Sequence, residues 1–135
     1  AYARYGRVTS DAETGFRGPL AGVASALAAA TSARVLTLPV DCPDPPTDLA
    51  TRLSALDVAA AVAHDGERRQ PLFALYRVEL ADAAAVCAKA GKGVWEWQDS
   101  IGAVEVDFAQ ERRQFHNLNT PEEFAAYADV LRSRD

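Results

Sequence analysis

The sequence predicts an α/β fold, a three-layer sandwich of helices around a mainly parallel β-sheet. Segments of strand length alternate along the chain with segments of helical spacing, which is typical of such sandwiches. The segment 34–40 is almost continuously apolar, as in a central strand that is covered on both faces. With 135 residues, 49% of them hydrophobic, the chain is expected to form a single domain, 1–135.

The first predicted elements are a strand at 6–10 and an alanine-rich helix that extends to about Thr31. A polar loop separates them, and the pentapeptide 18–22 (Gly-Pro-Leu-Ala-Gly) opens the helix. Proline suits the first helical turn, where its missing N–H is not needed. Alanine favours the helix and permits close packing on a sheet.

The second strand is predicted at 34–40 and leads directly to Asp41. Proline cannot donate to a β-ladder, so Pro39 indicates that sheet pairing ends there. Asp41 is therefore expected at the carboxyl end of this strand. Three prolines then interrupt regular structure, and Thr47 can cap a helix that extends to about Leu56.

The second half of the chain continues the alternation. Strands are predicted at 58–63, at 72–76 and, as an edge strand with alternating polarity, at 104–108. Helices are predicted at 78–90, ending at Gly91, at 94–98, and from the Thr-Pro-Glu-Glu start at 120 to about Arg132.

Asp41 is the first candidate for chemistry. In open α/β sheets, ligands bind outside the carboxyl ends of the strands. A carboxylate there can bind Mg²⁺, which takes one or two carboxylates together with substrate phosphates. From the pattern alone, an aspartate that merely caps the next turn is the more frequent case.

Two further sites are candidates. Gly18 and Gly22 at a helix start allow a ligand to approach the backbone, although a plain turn with a close helix–sheet contact at Gly22 explains them equally. No lysine follows, so this is not a phosphate-binding P-loop. Asn117 and Asn119 can point the same way in an extended segment and offer their amides to a polar ligand. The alternative is that Asn119 and Thr120 are helix capping residues only.

The remaining polar and aromatic residues are predicted to have structural roles. His64 and His116 are assigned to the surface or to packing. Trp95 and Trp97 cannot share one helix face, so one is expected to pack and the other to be partly exposed. Six basic residues are expected to be solvated, although a few could face a phosphate: Arg68, Arg69, Lys89, Lys92, Arg112 and Arg113.

Composition narrows the class of protein. The net charge of −5 provides no basic footprint for nucleic acid, and no apolar run approaches the ~20 residues of a membrane helix. Two cysteines form no disulfide framework, which favours a cytoplasmic location. The chain has no methionine and opens like the tail of a helix, so we expect a leading part to lie outside it.

Four motifs give the chain a resemblance to the molybdenum cofactor guanylyltransferase family. They occur in the family's order and spacing: 18–22, 38–43 (Leu-Pro-Val-Asp-Cys-Pro), 70–75 (Gln-Pro-Leu-Phe-Ala-Leu) and 115–122 (Phe-His-Asn-Leu-Asn-Thr-Pro-Glu). The resemblance implies a nucleotide-diphospho-sugar transferase-like (Rossmann-like) fold. It also implies transfer of GMP from GTP to molybdopterin with release of pyrophosphate, and molybdoenzymes as possible partners.

The resemblance also implies roles for individual residues. Asp41 matches the family's Mg²⁺ ligand and catalytic residue. Asp11, Gly18 and Gly22 match the nucleotide side, whereas Asn117 and Asn119 match the molybdopterin side. Lys92 matches only one of two basic residues that relatives carry there, since Gly93 follows it.

One part of the family pattern has no counterpart here, and alternatives remain. The family's opening strand and glycine-rich loop, with an Arg and a Lys for the triphosphate, are not matched, so these 135 residues alone are expected to bind GTP poorly. A sister enzyme that uses CTP with molybdopterin, or a nucleotide with a sugar phosphate, is the nearest alternative. A non-catalytic domain that binds the cofactor or a partner protein is the other.

Overall fold

A computed structural model describes residues 7–10, 19–39, 48–111, 115 and 124–128. The strands are β1 Arg7–Ser10, β2 Arg34–Pro39, β3 Ala60–His64, β4 Arg69–Arg77, β5 Val104–Asp107 and β6 Phe124–Ala128. The α-helices are α1 Pro19–Ala29, α2 Leu49–Ser54, α3 Ala81–Lys89 and α4 Val94–Ser100, with 3₁₀ turns at Val78–Leu80 and Ala109–Glu111. None of the described helices is long and apolar enough to cross a membrane.

The six strands form one sheet in the spatial order β1-β6-β2-β4-β3-β5. β3 and β5 pair in parallel, and the other four described pairings are antiparallel. Because β4 and β6 run against their neighbours, β1, β2, β3 and β5 all point the same way. Their last residues, Ser10, Pro39, His64 and Asp107, therefore lie on one side of the sheet, which we call the carboxyl edge.

Helices cover both faces of this sheet, so the predicted α/β sandwich is confirmed. On one face α2 packs with aromatic and aliphatic side chains, and on the other face α1, α3 and α4 build a second core cluster. Successive residues of β2 divide between these clusters, with Val35 in one and Leu36 in the other. Burial on both faces is why this strand is almost continuously apolar.

The strand pairing differs from the mainly parallel one expected. β3 and β4 are joined by a short hairpin, and a hairpin makes its two strands antiparallel. β4 also extends further than predicted, because Arg69 and Gln70 continue the pairing with His64 and Ala63. These two polar residues therefore belong to the sheet although they precede the predicted strand.

The helix predicted from 120 to 132 is wrong where the structure describes it, because Phe124–Ala128 forms β6. This strand lies between β1 and β2 and pairs with both. A helix would satisfy its own backbone groups but would leave the facing edges of β1 and β2 unpaired. Helix propensities differ by at most ~0.7 kcal/mol per ordinary residue, so tertiary pairing can override them. The predicted cap Thr120 and the predicted first helical residue Pro121 lie outside the described residues.

Other local predictions are confirmed. Helix α3 ends before Gly91, whose φ of 82° is the left-handed conformation that glycine adopts most readily. In α4, Trp97 is fully buried whereas Trp95 is 44% exposed. One local prediction is wrong: the N-cap of α2 is Asp48, which makes no side-chain capping bond, and not Thr47, which lies outside the described residues.

A buried polar contact joins α4 to β4. The side-chain amide of Gln98 donates to the Tyr76 hydroxyl at 2.8 Å and to the carbonyl of Pro71 at 3.0 Å. The rings of Tyr76 and Trp97 lie 5.1 Å apart between centroids. All three side chains are buried, so this contact fixes the helix on the sheet.

Burial raises the pKa of the Tyr76 phenol well above its ordinary value of about 10. The unfolded chain then ionises first, so the free energy of unfolding should fall as the pH rises above ~10, by up to about 1.4 kcal/mol per pH unit. Urea unfolding between pH 8 and 11 measures this dependence, and Tyr76→Phe should show a shallower fall. Equal slopes for the two proteins would contradict the prediction.

Candidate functional site

Two strands that lead to predicted site residues end at the carboxyl edge on either side of β6. Ser10 of β1 pairs with Ala125, and Pro39 of β2 pairs with Phe124, on opposite sides of β6. Neighbouring strands lie about 4.8 Å apart, so these two ends are about 10 Å apart. Asp11 follows Ser10 directly, and Asp41 comes two residues after Pro39. Both aspartates lie outside the described residues, but each is covalently close to this edge.

A third segment is tethered to the same edge at both ends. Phe115 is buried in the core cluster beneath α2, and Phe124 pairs with Pro39. The eight residues 116–123 connect them and include Asn117 and Asn119, which also lie outside the described residues. The register therefore places Phe124, the residue after this segment, beside Pro39, two residues before Asp41.

The glycines predicted for the nucleotide side are separated by the start of α1. Gly22 is buried within this helix, whereas Gly18 lies outside the described residues. Burial of Gly22 agrees with the close helix–sheet contact that the sequence predicts as the alternative to a ligand site. It does not test a role in binding.

Lys92 lies in the turn between α3 and α4 and is exposed, as expected. Its ammonium group lies 3.2 Å from the Glu96 carboxylate. Three residues further on, Trp95 contacts Arg69 at the start of β4, which places this turn near the carboxyl edge. An exposed ion pair is worth at most about 1 kcal/mol, so Lys92 can readily exchange Glu96 for a ligand anion.

The β3–β4 turn at this edge is organised by Asp65, a fully buried carboxylate. It accepts hydrogen bonds from the backbone N–H groups of Glu67 and Arg68 at 2.8 and 2.9 Å, and from the Gln70 side chain at 2.7 Å. Gly66 has a φ of 99°, and a Cβ there would lie only 2.9 Å from that of Ala109. The sequence His64-Asp65-Gly66 is typical of a turn, but it does not predict the hydrogen bond that Gln70 donates to Asp65.

The prediction that Arg69 is solvated is wrong, because this residue is only 9% exposed. Its guanidinium bonds Asp99 and Glu105, each at 2.9 Å, and lies 5.0 Å from the ring centroid of Trp95. Two carboxylates and an aromatic ring compensate part of its loss of water, while its buried Nη1 has no hydrogen-bond partner among the described residues. Arg68, Lys89 and Lys92 are exposed as predicted, whereas Arg112 and Arg113 lie outside the described residues.

His64, at the end of β3, has a structural role, as predicted. Its Nδ1 accepts from the N–H of Gly66 at 3.0 Å, and its carbonyl accepts from the N–H of Phe108 at 2.8 Å. His116 lies outside the described residues. Within the described ranges no group of three or more His, Cys, Asp or Glu side chains could hold a metal ion, and Asp41 is not among those residues.

The sequence of the chain is similar to a known family and to individual proteins. Residues 1–104 match the family described as the MobA-like NTP transferase domain. The chain is 42% identical over 124 residues to a molybdenum cofactor guanylyltransferase of Mannheimia succiniciproducens, and 39% identical over 128 residues to one of Shewanella baltica strain OS155. These matches cover 87% and 90% of the chain but 65% of each relative, so the chain spans about two-thirds of the relatives' length.

A crystal structure of a protein from Aquifex aeolicus VF5 has a similar fold. The TM-score is 0.66 at 24% sequence identity, with 76% of this chain and 57% of the other covered. At that identity the similarity concerns the fold alone.

Proposed function

The chain belongs to the MobA-like NTP transferase family and has a nucleotide-diphospho-sugar transferase-like fold, and on that premise we propose that the protein transfers GMP from GTP to molybdopterin. The products would be the guanine dinucleotide form of the cofactor and pyrophosphate. One observation in the structure supports this most: Pro39 pairs with Phe124, so the described residue nearest before Asp41 lies beside the described residue that follows the Asn117–Asn119 segment.

The nucleotide would bind near the carboxyl ends of β1 and β2. We assign Asp11, Gly18 and Gly22 to GTP, since they lie on the connection from β1 into α1 and at its start. Backbone N–H groups at the start of an eleven-residue helix favour a phosphate group. A glycine at that point allows the closest approach of the ligand to the backbone.

Asp41 is the residue that would hold Mg²⁺. A carboxylate is the ligand type that this ion prefers, and the ion, when bound, would neutralise charge on the α-phosphate and on the departing pyrophosphate. The contribution of the chain is to fix that carboxylate at a strand end. β2 is suited to this, because it is paired on both sides and its side chains are buried on both faces.

The substrate on the other side would be molybdopterin. Asn117 and Asn119 would hold its polar ring, because each amide offers a donor and an acceptor, and Lys92 would pair with an anionic group. The nucleophile would be the phosphate monoester of molybdopterin. The second pKa of such a group is ~6, so it is largely dianionic at neutral pH and its oxygen can attack without a general base. That oxygen forms a bond to the α-phosphorus of GTP. At the same time the bond between the α-phosphorus and the oxygen that bridges it to the β-phosphate breaks, and pyrophosphate leaves. Orientation of the two anions is then the main contribution of the protein.

The test is product analysis with the protein expressed from its complete gene. With GTP, molybdopterin and Mg²⁺ it is expected to release pyrophosphate and to form the guanine dinucleotide, identified by mass. CTP in place of GTP is expected to give little product. Preference for CTP would assign the protein to a sister enzyme, and molybdopterin binding without pyrophosphate release would make it a binding domain. Either result would overturn the proposal.

A further inference from the structure

We propose that Phe115 is a positioning residue whose buried ring sets the location of Asn117 and Asn119 relative to Asp41. The inference rests on the proposed function, and it assigns a role to a residue that lies outside the binding groups themselves. The observation that supports it is the packing of the Phe115 side chain near the carboxyl edge.

Phe115 is enclosed by two other aromatic rings. It is 2% exposed, and its ring lies edge-on to Phe73, with 4.6 Å between centroids, and to Phe108 at 5.9 Å. Edge-on pairs are a preferred arrangement of aromatic rings. We call Phe73, Phe108 and Phe115 the aromatic anchor.

The two partners of Phe115 are themselves held firmly. Phe73 belongs to β4, which is paired on both sides. The backbone N–H of Phe108 donates to the His64 carbonyl at 2.8 Å. The guanidinium of Arg52 lies 3.9 Å from the centroid of the Phe108 ring and donates to the Asp107 carbonyl. Phe115 therefore packs against a surface built by β3, β4 and α2.

This packing restricts the residues that follow. Asn117 comes two residues after Phe115, and two peptide units span at most ~7 Å, so the position of the anchor limits that of the amide. Leu38 of β2, three residues before Asp41, belongs to the same core cluster. The anchor therefore joins the residue that precedes the asparagine segment to β2, whose last residue is two before Asp41.

The consequence is specific to one substrate. A shift of the asparagines should weaken the binding of molybdopterin while the GTP side, attached to β1 and α1, stays in place. Displacements of ~1 Å can cost up to a hundredfold in enzyme efficiency, so even a modest change in packing is measurable.

The experiment compares Phe115→Leu with Leu75→Ala in the protein expressed from its complete gene. Leu75 lies in the same core cluster but near the end of β4 away from the carboxyl edge, so its truncation controls for loss of stability. Phe115→Leu is expected to raise KM for molybdopterin at least about fivefold and to leave KM for GTP within about twofold. Leu75→Ala should change neither KM beyond about twofold. Phe115→Met provides a second variant if the leucine protein does not fold.

A readout without substrates separates this inference from the proposed function. Amide hydrogen exchange at 116–120 should be faster in Phe115→Leu than in the wild type and unchanged in Leu75→Ala. Unchanged exchange in Phe115→Leu, or an equal rise of both KM values, would overturn the positioning role. If the wild type transfers no GMP, the proposed function fails, together with the role of the asparagines, while exchange still reports whether Phe115 anchors the segment.

Discussion

Asp41→Asn is expected to lower kcat for guanylyl transfer at least about a hundredfold, since the amide keeps the shape of the side chain but cannot supply a negative charge to Mg²⁺. The free energy of unfolding should change by no more than about 0.5 kcal/mol, as for most substitutions that keep size and leave the core intact. Steady-state turnover at saturating GTP and molybdopterin measures the first quantity, and urea unfolding measures the second.

Asp48→Asn is the matched control for this experiment. Asp48 lies seven residues after Asp41 and is exposed, and its carboxylate lies 3.7 Å from the Arg52 guanidinium. The same chemical change there should leave kcat within about twofold, because an exposed ion pair contributes little. Normal turnover by Asp41→Asn would refute its assignment as the metal ligand. An equal loss in Asp48→Asn would indicate a general sensitivity of this region to charge.

The largest expected effect on stability comes from Asp65→Ala. This substitution leaves two backbone N–H groups and the Gln70 side-chain amide without their acceptor. Each buried donor that loses its partner costs about 1–3 kcal/mol, and water can reach part of this turn because Glu67 and Arg68 are exposed. We therefore expect the free energy of unfolding to fall by on the order of 3 kcal/mol.

Urea unfolding of Asp65→Ala against Asp82→Ala measures this effect. Asp82 is exposed in the first turn of α3, where its loss should cost no more than about 1 kcal/mol. Asp65→Asn should lie between them, since its remaining oxygen can still accept the two backbone bonds while its amide faces the Gln70 amide. A cost below about 1 kcal/mol for Asp65→Ala would show that the buried carboxylate does not hold the turn.

Much of the fold was predictable because local pattern and burial agree. The apolar segment that became β2 is covered on both faces, and Pro39 marks the end of its pairing. Trp95 and Trp97 are two residues apart on a helix, which predicted that one ring is buried and the other partly exposed. The structure shows this difference in burial. In each case a short-range rule of helix or strand geometry was sufficient.

The remaining features depend on contacts that are distant in sequence. β6 is a strand because β1 and β2 leave a place between them, which no pattern in 124–128 reveals. Arg69 is buried because Asp99 and Glu105, thirty and more residues away, supply its partners. Of the candidate site residues, Gly22 and Lys92 are described, whereas the positions of Asp11, Gly18, Asp41, Asn117 and Asn119 stay predictions.

Hydrogen exchange with ligands tests most directly whether the three segments at the carboxyl edge form one site. GTP with Mg²⁺ is expected to slow exchange at 11–18 and 40–47, and addition of molybdopterin is expected to slow it at 116–123 as well. Segments at the opposite end of the strands, 30–33 and 101–103, should not change. Protection at those segments, or none at 40–47, would contradict the account.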